Sequence, residues 1–181
     1  KGSYSDGTAV GGDGARRVEP GIAIGVDAKA QGNSNIVMGQ GAQIIGHSFG
    51  VAIGRTTQAT DDYGVSVGYN TQADLHGIAM GEQSRAKKTG ATSFGVSSRG
   101  YGNGAIAVGW QSLAGANVYD EKGVPNDDIN SDNGKTINDY DKWGDVAIGV
   151  RTIATGGNAT ALGRGATASA ANAIAIGGGD G

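Results

Sequence analysis

The residues best suited to metal chemistry lie in one irregular stretch, Val118 to Trp143. Within it, DINSDNG sets Asp128, Asn130 and Asp132 at alternate positions, as a calcium-binding loop does because oxygen ligands must converge on one hard cation. The match is incomplete, since the glycine falls one position late and the twelfth residue is Asp139 instead of Glu. These three residues are candidate metal ligands, and plain turns are the alternative.

Aromatic residues form a second set of candidates, because Tyr and Trp are enriched at binding hot spots. Tyr119, Tyr140 and Trp143 lie in the same stretch, and loops on a rigid scaffold often carry recognition. The alternative is a solvated loop with Tyr140 and Trp143 packed at its base. Tyr69 and Trp110 each follow a glycine that recurs along the chain, at a position whose side chain varies from copy to copy. We expect these two rings to point outward and to contact either a ligand or a neighbouring protomer.

No catalytic arrangement is evident. His47 and His76 have no nucleophile motif or metal-ligand helix beside them, so exposure in turns is the simpler reading. The GxG fragments, such as Gly39 to Gly41, are not followed by a helix that could bind phosphate. The chain has no cysteine, which excludes disulfides, thiolate chemistry and cysteine zinc sites. We predict a protein that is not an enzyme and has no cofactor.

A 14-residue repeat organises the chain. Each copy contains a phrase such as VAIG, VSVG or IAMG, and the closing glycines recur at steps of 13 to 15 residues. The glycines of the structural repeat are Gly25, Gly39, Gly54, Gly68, Gly81, Gly95, Gly109, Gly149, Gly163 and Gly177, preceded by Gly11. One step of 40 residues contains an ordinary repeat and 26 further residues, so Val118 to Trp143 is an insertion between repeats 8–117 and 144–177.

Alternation within each copy predicts short β-strands. The residues one and three before the glycine are large or β-branched, as in Ile22 and Ile24 or Val51 and Ile53, and a small residue such as Ala52 lies between them. We predict that the large pair forms a one-layer core and that the small residue faces a neighbouring chain. A second alternation after the glycine predicts a second strand. Stacked coils of this kind form a parallel β-solenoid, with glycine at turns that need positive φ.

Composition limits what such a solenoid can do. The 181 residues include 36 Gly but only two Phe and two Trp, and the net charge is −3, so the chain lacks the positive field that nucleic-acid binding needs. No run of about 20 apolar residues exists to cross a bilayer. A single roll buries little apolar area against a backbone ordering cost of about 1 to 2 kcal/mol per residue. We therefore predict an obligate oligomer.

The phrases GIAIGVDAKA, GVAIGRTTQA, GVSVGYNTQA and GIAMGEQSRA resemble the head repeat of the YadA-like trimeric autotransporter adhesins, also called the haemagglutinin-like head repeat. The resemblance covers Thr8 to Asn117 and Gly144 to Gly177. It implies an all-β fold: a left-handed parallel β-roll solenoid of about eleven 14-residue coils, assembled as a parallel homotrimer. Residues 1–181 would then form a single head domain, with 118–143 as an insertion loop. The head would stand on a Gram-negative cell surface, anchored in the outer membrane through regions outside this sequence.

The resemblance also implies cell adhesion and virulence, with a host matrix protein, a host cell receptor or a glycan as the partner. The Asn-Ser start of the collagen-binding repeat occurs once, at Asn33 and Ser34, so collagen specificity is not carried over. A trimeric phage tail fibre or another structural rod is the alternative, and a stalk and membrane anchor in flanking sequence would favour the adhesin. A repeat-built enzyme such as a polysaccharide lyase needs longer coils and a cluster of carboxylates and basic residues.

Overall fold

The computed structural model describes residues 4–5, 21–115 and 144–178, which form short strands joined by tight turns. The odd-numbered strands have two residues each: β1 (Tyr4–Ser5), β3 (Lys29–Ala30), β5 (Gln43–Ile44), β7 (Gln58–Ala59), β9 (Gln72–Ala73), β11 (Arg85–Ala86), β13 (Arg99–Gly100), β15 (Leu113–Ala114), β17 (Ile153–Ala154) and β19 (Thr167–Ala168). The even-numbered strands have three: β2 (Ile22–Ile24), β4 (Ile36–Met38), β6 (Val51–Ile53), β8 (Val65–Val67), β10 (Ile78–Met80), β12 (Thr92–Phe94), β14 (Ile106–Val108), β16 (Val146–Ile148), β18 (Thr160–Leu162) and β20 (Ile174–Ile176). These ranges contain no helix, and hence none that could span a membrane.

The strands form two ten-stranded parallel sheets, one of odd-numbered and one of even-numbered strands. Each strand pairs with its copy in the next coil, as Val51 pairs with Val65 and Ile53 with Val67. The predicted all-β parallel solenoid is therefore confirmed. The repeat did not predict β1, which pairs with β3, and the repeat that ends at Gly11 lies outside the described residues. The left hand of the roll, the count of eleven coils and the homotrimer stay predictions.

The coils on either side of the insertion are direct neighbours. Strand β14 pairs with β16, so that Ile106 lies opposite Val146, and β15 pairs with β17, so that Leu113 lies opposite Ile153. The insertion itself lies outside the described residues. The candidate residues that it carries are Tyr119, Tyr140, Trp143, Asp128, Asn130 and Asp132, and they stay predictions.

The interior of the roll is lined by small side chains, and the predicted orientation of the even-numbered strands was wrong. Ala52 and Ala79, the middle residues of β6 and β10, are 0 % exposed, whereas Ile22, Ile24 and Ile53 are 50 %, 54 % and 37 % exposed. Alanines of the odd-numbered strands lie in the same buried clusters. The physical reason is size: a 14-residue coil brings its two strands too close together for a row of isoleucines between them.

Hydroxyl side chains occupy further interior positions and have hydrogen-bond partners there, while Val37 and Ile44 are the largest apolar side chains that are fully buried. The Ser66 Oγ donates to the Thr71 Oγ1 at 2.8 Å, and the Ser93 and Ser98 Oγ atoms lie 2.9 Å apart. The Ser84 Oγ donates to the Ser93 carbonyl at 2.9 Å. Because these buried groups have partners, the core loses little by including Ser and Thr where other coils have Ala.

The repeat glycines form a column along one edge of the roll, called here the glycine edge. All ten have positive φ, between 109° and 141°. A Cβ atom added to Gly54 would lie 1.9 Å from the carbonyl oxygen of Gly68 in the next coil, and one added to Gly95 would lie 2.4 Å from that of Gly109. Glycine is needed here both for the backbone conformation and because neighbouring coils touch.

Candidate functional site

The outward side of the even-numbered strands is apolar, and we call it the apolar face. Parallel pairing places the first residues of these strands in one row and the third residues in another, at a spacing of about 4.8 Å. Its exposed members are Ile22, Ile24, Ile36, Met38, Ile53, Ile78, Phe94, Ile106, Ile148, Ile174 and Ile176. Soluble monomers rarely expose a continuous apolar surface of this extent. The apolar face therefore has the character of an interface.

The glycine edge carries both aromatic candidates that lie within the described residues. Tyr69 and Trp110 are 45 % and 43 % exposed, so both rings occupy outward positions. The Arg55 Cζ lies 5.8 Å from the centre of the Tyr69 ring, and the Arg151 Cζ lies 4.9 Å from that of Trp110, within the range of a cation–π contact. Three coils separate the two rings, about 14 Å at a spacing of 4.8 Å per coil, so they do not form one site.

The opposite edge, where an odd-numbered strand turns into the next even-numbered strand, carries three stacked rings. The centroids of Phe49 and Tyr63 are 5.3 Å apart with an interplanar angle of 12°, and those of Tyr63 and His76 are 4.9 Å apart at 8°. Phe49 and Tyr63 are 48 % and 49 % exposed, and His76 is exposed as well. We call this stack the aromatic corner.

The aromatic corner occupies backbone positions that do not favour large side chains. Phe49, Tyr63 and His76 have φ of 61°, 60° and 53°, in the left-handed region. Other coils place Asn158 or Gly90 at this position, residues that adopt it readily. Bulky residues at such positions are uncommon and cluster at functional sites. This site was not predicted from the sequence, although a ring followed by glycine recurs in register as FG, YG and HG.

On the same edge as the aromatic corner, His47 lies close to two aspartates of the next coil. The His47 Nδ1 is 3.5 Å from the Asp61 Oδ1 and 3.9 Å from the Asp62 Oδ1. These three side chains, called here the His47 cluster, are the group of potential metal ligands in the part of the chain that the structure describes. From the sequence, His47 was predicted to be an exposed turn residue, because the two aspartates lie one coil away in the chain.

A groove of about 180 Å³ adjoins the His47 cluster. It is lined by Gln43, Ile45, His47, Gln58, Ala59 and Thr60. Small-molecule sites usually enclose about 300 Å³ or more, so this groove is too small to be a typical substrate pocket.

Comparison with known proteins gives one match. A family model described as the YadA head domain repeat (2 copies) matches residues 50–71, 75–98, 86–112, 144–166 and 154–179. These segments cover more than half of the chain, and Tyr69 and Trp110 lie within them, while His47 and Phe49 lie before the first. No curated protein and no solved structure matches the chain.

Proposed function

The chain belongs to the YadA head domain family, and from this premise we propose that it forms the head of a bacterial trimeric autotransporter adhesin. Heads of this family are surface-exposed parts of adhesins, and the family is not a known enzyme family. In this proposal three copies associate in parallel on the bacterial surface, held in the outer membrane by regions outside the present sequence. The head then attaches the cell to a host matrix protein, a host cell receptor or a glycan.

The observation that carries the proposal is the apolar face. Burying apolar surface contributes about 25 cal/mol per Å², and full burial of an isoleucine side chain about 1.5 to 3 kcal/mol. Ile53, Ile106 and Ile148 are each more than a third exposed in the single chain, so covering them has a large favourable free energy. Heads of this family are trimeric. If three rolls pack these faces together, the interface buries the large apolar side chains that a single 14-residue coil is too narrow to enclose.

Two exposed sites outside the apolar face support an adhesive role. The aromatic corner offers ring edges from three successive coils, and Trp110 adds a ring on the glycine edge. Aromatic residues are enriched at binding hot spots, and a trimer would present each site three times. Weak contacts at such sites then add by avidity. We propose the aromatic corner as the main contact with the host ligand.

Two measurements on the purified protein test this function. Light scattering should give a mass three times 17.9 kDa, the mass of one chain. Binding should then be measured to immobilised matrix proteins, host cells and a glycan array, for the native protein and for Tyr63→Asn. Asn is the matched replacement because the same backbone position holds Asn158 and Asn172 in other coils.

The variant should stay trimeric and lose most of the binding. Unchanged binding by Tyr63→Asn would exclude the aromatic corner as the contact. A trimer that binds none of the three classes would support a structural rod, and a monomer would contradict the trimeric head.

A further inference from the structure

We infer that the His47 cluster binds a divalent transition-metal ion of the Zn²⁺ class and thereby links two neighbouring coils. His47 lies in the turn after β5, and Asp61 and Asp62 lie in the turn after β7, so the ion would join the edges of successive coils. One nitrogen and two oxygen atoms, one from each side chain, lie within 4.8 Å of one another. Metal binding at the His47 cluster would be independent of the proposed adhesive role.

The distances fit a tetrahedral ion. Zinc binds histidine nitrogen at about 2.0 to 2.1 Å and carboxylate oxygen at about 2.0 to 2.2 Å, which places two ligand atoms of a tetrahedron about 3.4 Å apart. The His47 Nδ1 and Asp61 Oδ1 are 3.5 Å apart, and the distance to the Asp62 Oδ1 is 3.9 Å. On this geometry the distance between the His47 Nδ1 and the Asp62 Oδ1 has to shorten by about half an ångström, and the two carboxylate oxygens start within 4.8 Å of each other. All three side chains are partly exposed and have room for it.

The donor set selects the class of ion. Imidazole nitrogen suits zinc, copper, nickel and iron, whereas calcium and magnesium prefer sites made of oxygen alone. Two ionised carboxylates offset the charge of a divalent ion. Three protein ligands leave a fourth tetrahedral position for water or for a group from a partner.

The surrounding chain orients the ligands. The Ser48 amide donates to the Asp62 Oδ1 at 2.6 Å, and the Asp62 amide donates to the Asp61 Oδ1 at 2.8 Å. A carboxylate has about four lone-pair sites, so each oxygen atom can also face an ion. The fully buried Asn35 holds the turn of His47: its Nδ2 donates to the His47 carbonyl at 2.7 Å. Supporting hydrogen bonds of this kind fix ligand orientation in metal sites.

An extra residue in the same turn brings His47 into place. Six residues separate β5 from β6, whereas five separate β3 from β4 and β7 from β8. At this point the ladder is also shorter, because β5 and β7 share the single pair Gln43 and Gln58, while β7 and β9 share two pairs. An added residue that interrupts a ladder redirects side chains, and such bulges are frequent beside functional sites. The extra residue of this 15-residue repeat therefore lengthens the turn that carries His47.

Zinc binding to the tag-free 181-residue protein tests the inference directly. Calorimetric titration with ZnCl₂ should show one site per chain, and zinc should raise the melting temperature. His47→Gln and Asp62→Asn should each weaken zinc binding at least tenfold and remove the rise in melting temperature. Asp62→Asn keeps the oxygen that accepts from Ser48, so loss of binding would not reflect loss of the turn. The matched controls, His76→Gln and Asp27→Asn, should bind zinc as the native protein does.

Two further readouts separate the site from a simple ion pair. Cobalt(II) in place of zinc should give the intense visible absorption of four-coordinate geometry, and magnesium or calcium at equal concentration should leave the melting temperature unchanged. A native protein that binds no zinc overturns the inference. The inference is also overturned if His47→Gln binds zinc as tightly as the native protein does, or if calcium raises the melting temperature as much as zinc does. An intact fold in His47→Gln, shown by an unchanged circular dichroism spectrum, makes each comparison valid.

Discussion

The middle residue of each even-numbered strand and its two neighbours differ in both size and exposure. In β10, Ala79 is 0 % exposed while Ile78, the adjacent residue, is 39 % exposed. The same contrast holds in β14, where Ala107 is buried and Ile106 is 38 % exposed. In the even-numbered strands, the smaller middle residue is therefore inside and its larger neighbours are outside, whereas the odd-numbered strand β5 buries one isoleucine, Ile44. Interior space, and not hydrophobicity, decides which side chain faces the core.

The roll is therefore stabilised in two places, its narrow interior and its apolar face. Inside, close packing of alanine, serine and threonine joins with the ladder hydrogen bonds, such as Val51 N–H to the Gly64 carbonyl at 2.9 Å. Protein interiors are packed densely, so added volume in such a narrow core has nowhere to go. Outside, the apolar face contributes only when another chain covers it. Substitutions inside should affect folding, and substitutions outside should affect assembly.

The largest effect is expected from enlarging the interior. Ala79→Leu adds three carbon atoms to a position with no exposed surface. Overpacking a core costs about 1 to 3 kcal/mol and occasionally more, and an addition of this size belongs at the upper end of that range. We expect a large loss of the free energy of unfolding, measured by urea denaturation followed by circular dichroism. Ile78→Leu, on the outward side of the same strand, is the matched control and should change stability by less than about 1 kcal/mol. Equal losses in the two variants would contradict the assigned faces.

A somewhat smaller effect is expected at the glycine edge. Gly54→Ala places a Cβ atom 1.9 Å from a backbone oxygen at a φ of 128°, so both the clash and the backbone strain should destabilise the coil, by about 2 to 3 kcal/mol. Gly90→Ala is the control, because Gly90 also has positive φ, 68°, but a Cβ there meets nothing within 4 Å. It should cost about 1 to 2 kcal/mol. Thermal unfolding of the two variants measures the difference, and a Gly90→Ala variant as unstable as Gly54→Ala would show that contact between coils is unimportant.

Substitutions on the apolar face should affect assembly and not folding. Ile53→Asp and Ile148→Asp each place a charge on the apolar face, and an unpaired charge in an interface is strongly unfavourable. We expect self-association to weaken ten- to a hundredfold, measured by analytical ultracentrifugation, while the β-sheet circular dichroism signal is retained. Arg55→Asp, on the glycine edge, is the control and should leave association unchanged. A native protein with no self-association at high concentration would contradict the assembly role of this face.

Much of the fold was predictable because the repeat is explicit in the sequence. Spacing of the glycines gave the coils, and alternation within VAIG and its copies gave the strands. Alternation alone cannot say which face is inside, since both faces of a strand have the same period of two. Because isoleucine is hydrophobic, Ile22 and Ile24 were predicted to lie in the core. They are exposed instead, because the coil is too narrow to hold them.

The candidate site was less predictable, because its residues meet across coils. His47 is 14 and 15 residues from Asp61 and Asp62, and only the stacking of successive turns brings them together. The outward position of Tyr69 and Trp110 followed from their variable register, but their arginine partners depend on side-chain geometry. Phe49 and Tyr63 could have been found by comparing the residue before each glycine across the repeats.

The smallest effect on stability is expected from deleting the insertion and joining Asn117 to Gly144. Strands β14 and β16 pair over three residues, and β15 and β17 over two, although the insertion separates them in the chain. Because this ladder already spans the junction, the strands should pair in the same register without residues 118–143. The entropy of closing a loop depends weakly on its length, so the free energy of unfolding should change by less than about 1 kcal/mol.

The deletion variant also tests the candidate residues of the insertion. If Tyr119, Tyr140 and Trp143 carry recognition, the variant should keep its melting temperature and its oligomeric state but lose binding to the host ligand. A folded trimer with unchanged binding would remove that role and leave the aromatic corner as the contact. A variant that folds but no longer trimerises would show that the insertion joins neighbouring chains. In that case the interior would still determine folding, but assembly would depend on the insertion as well as on the apolar face.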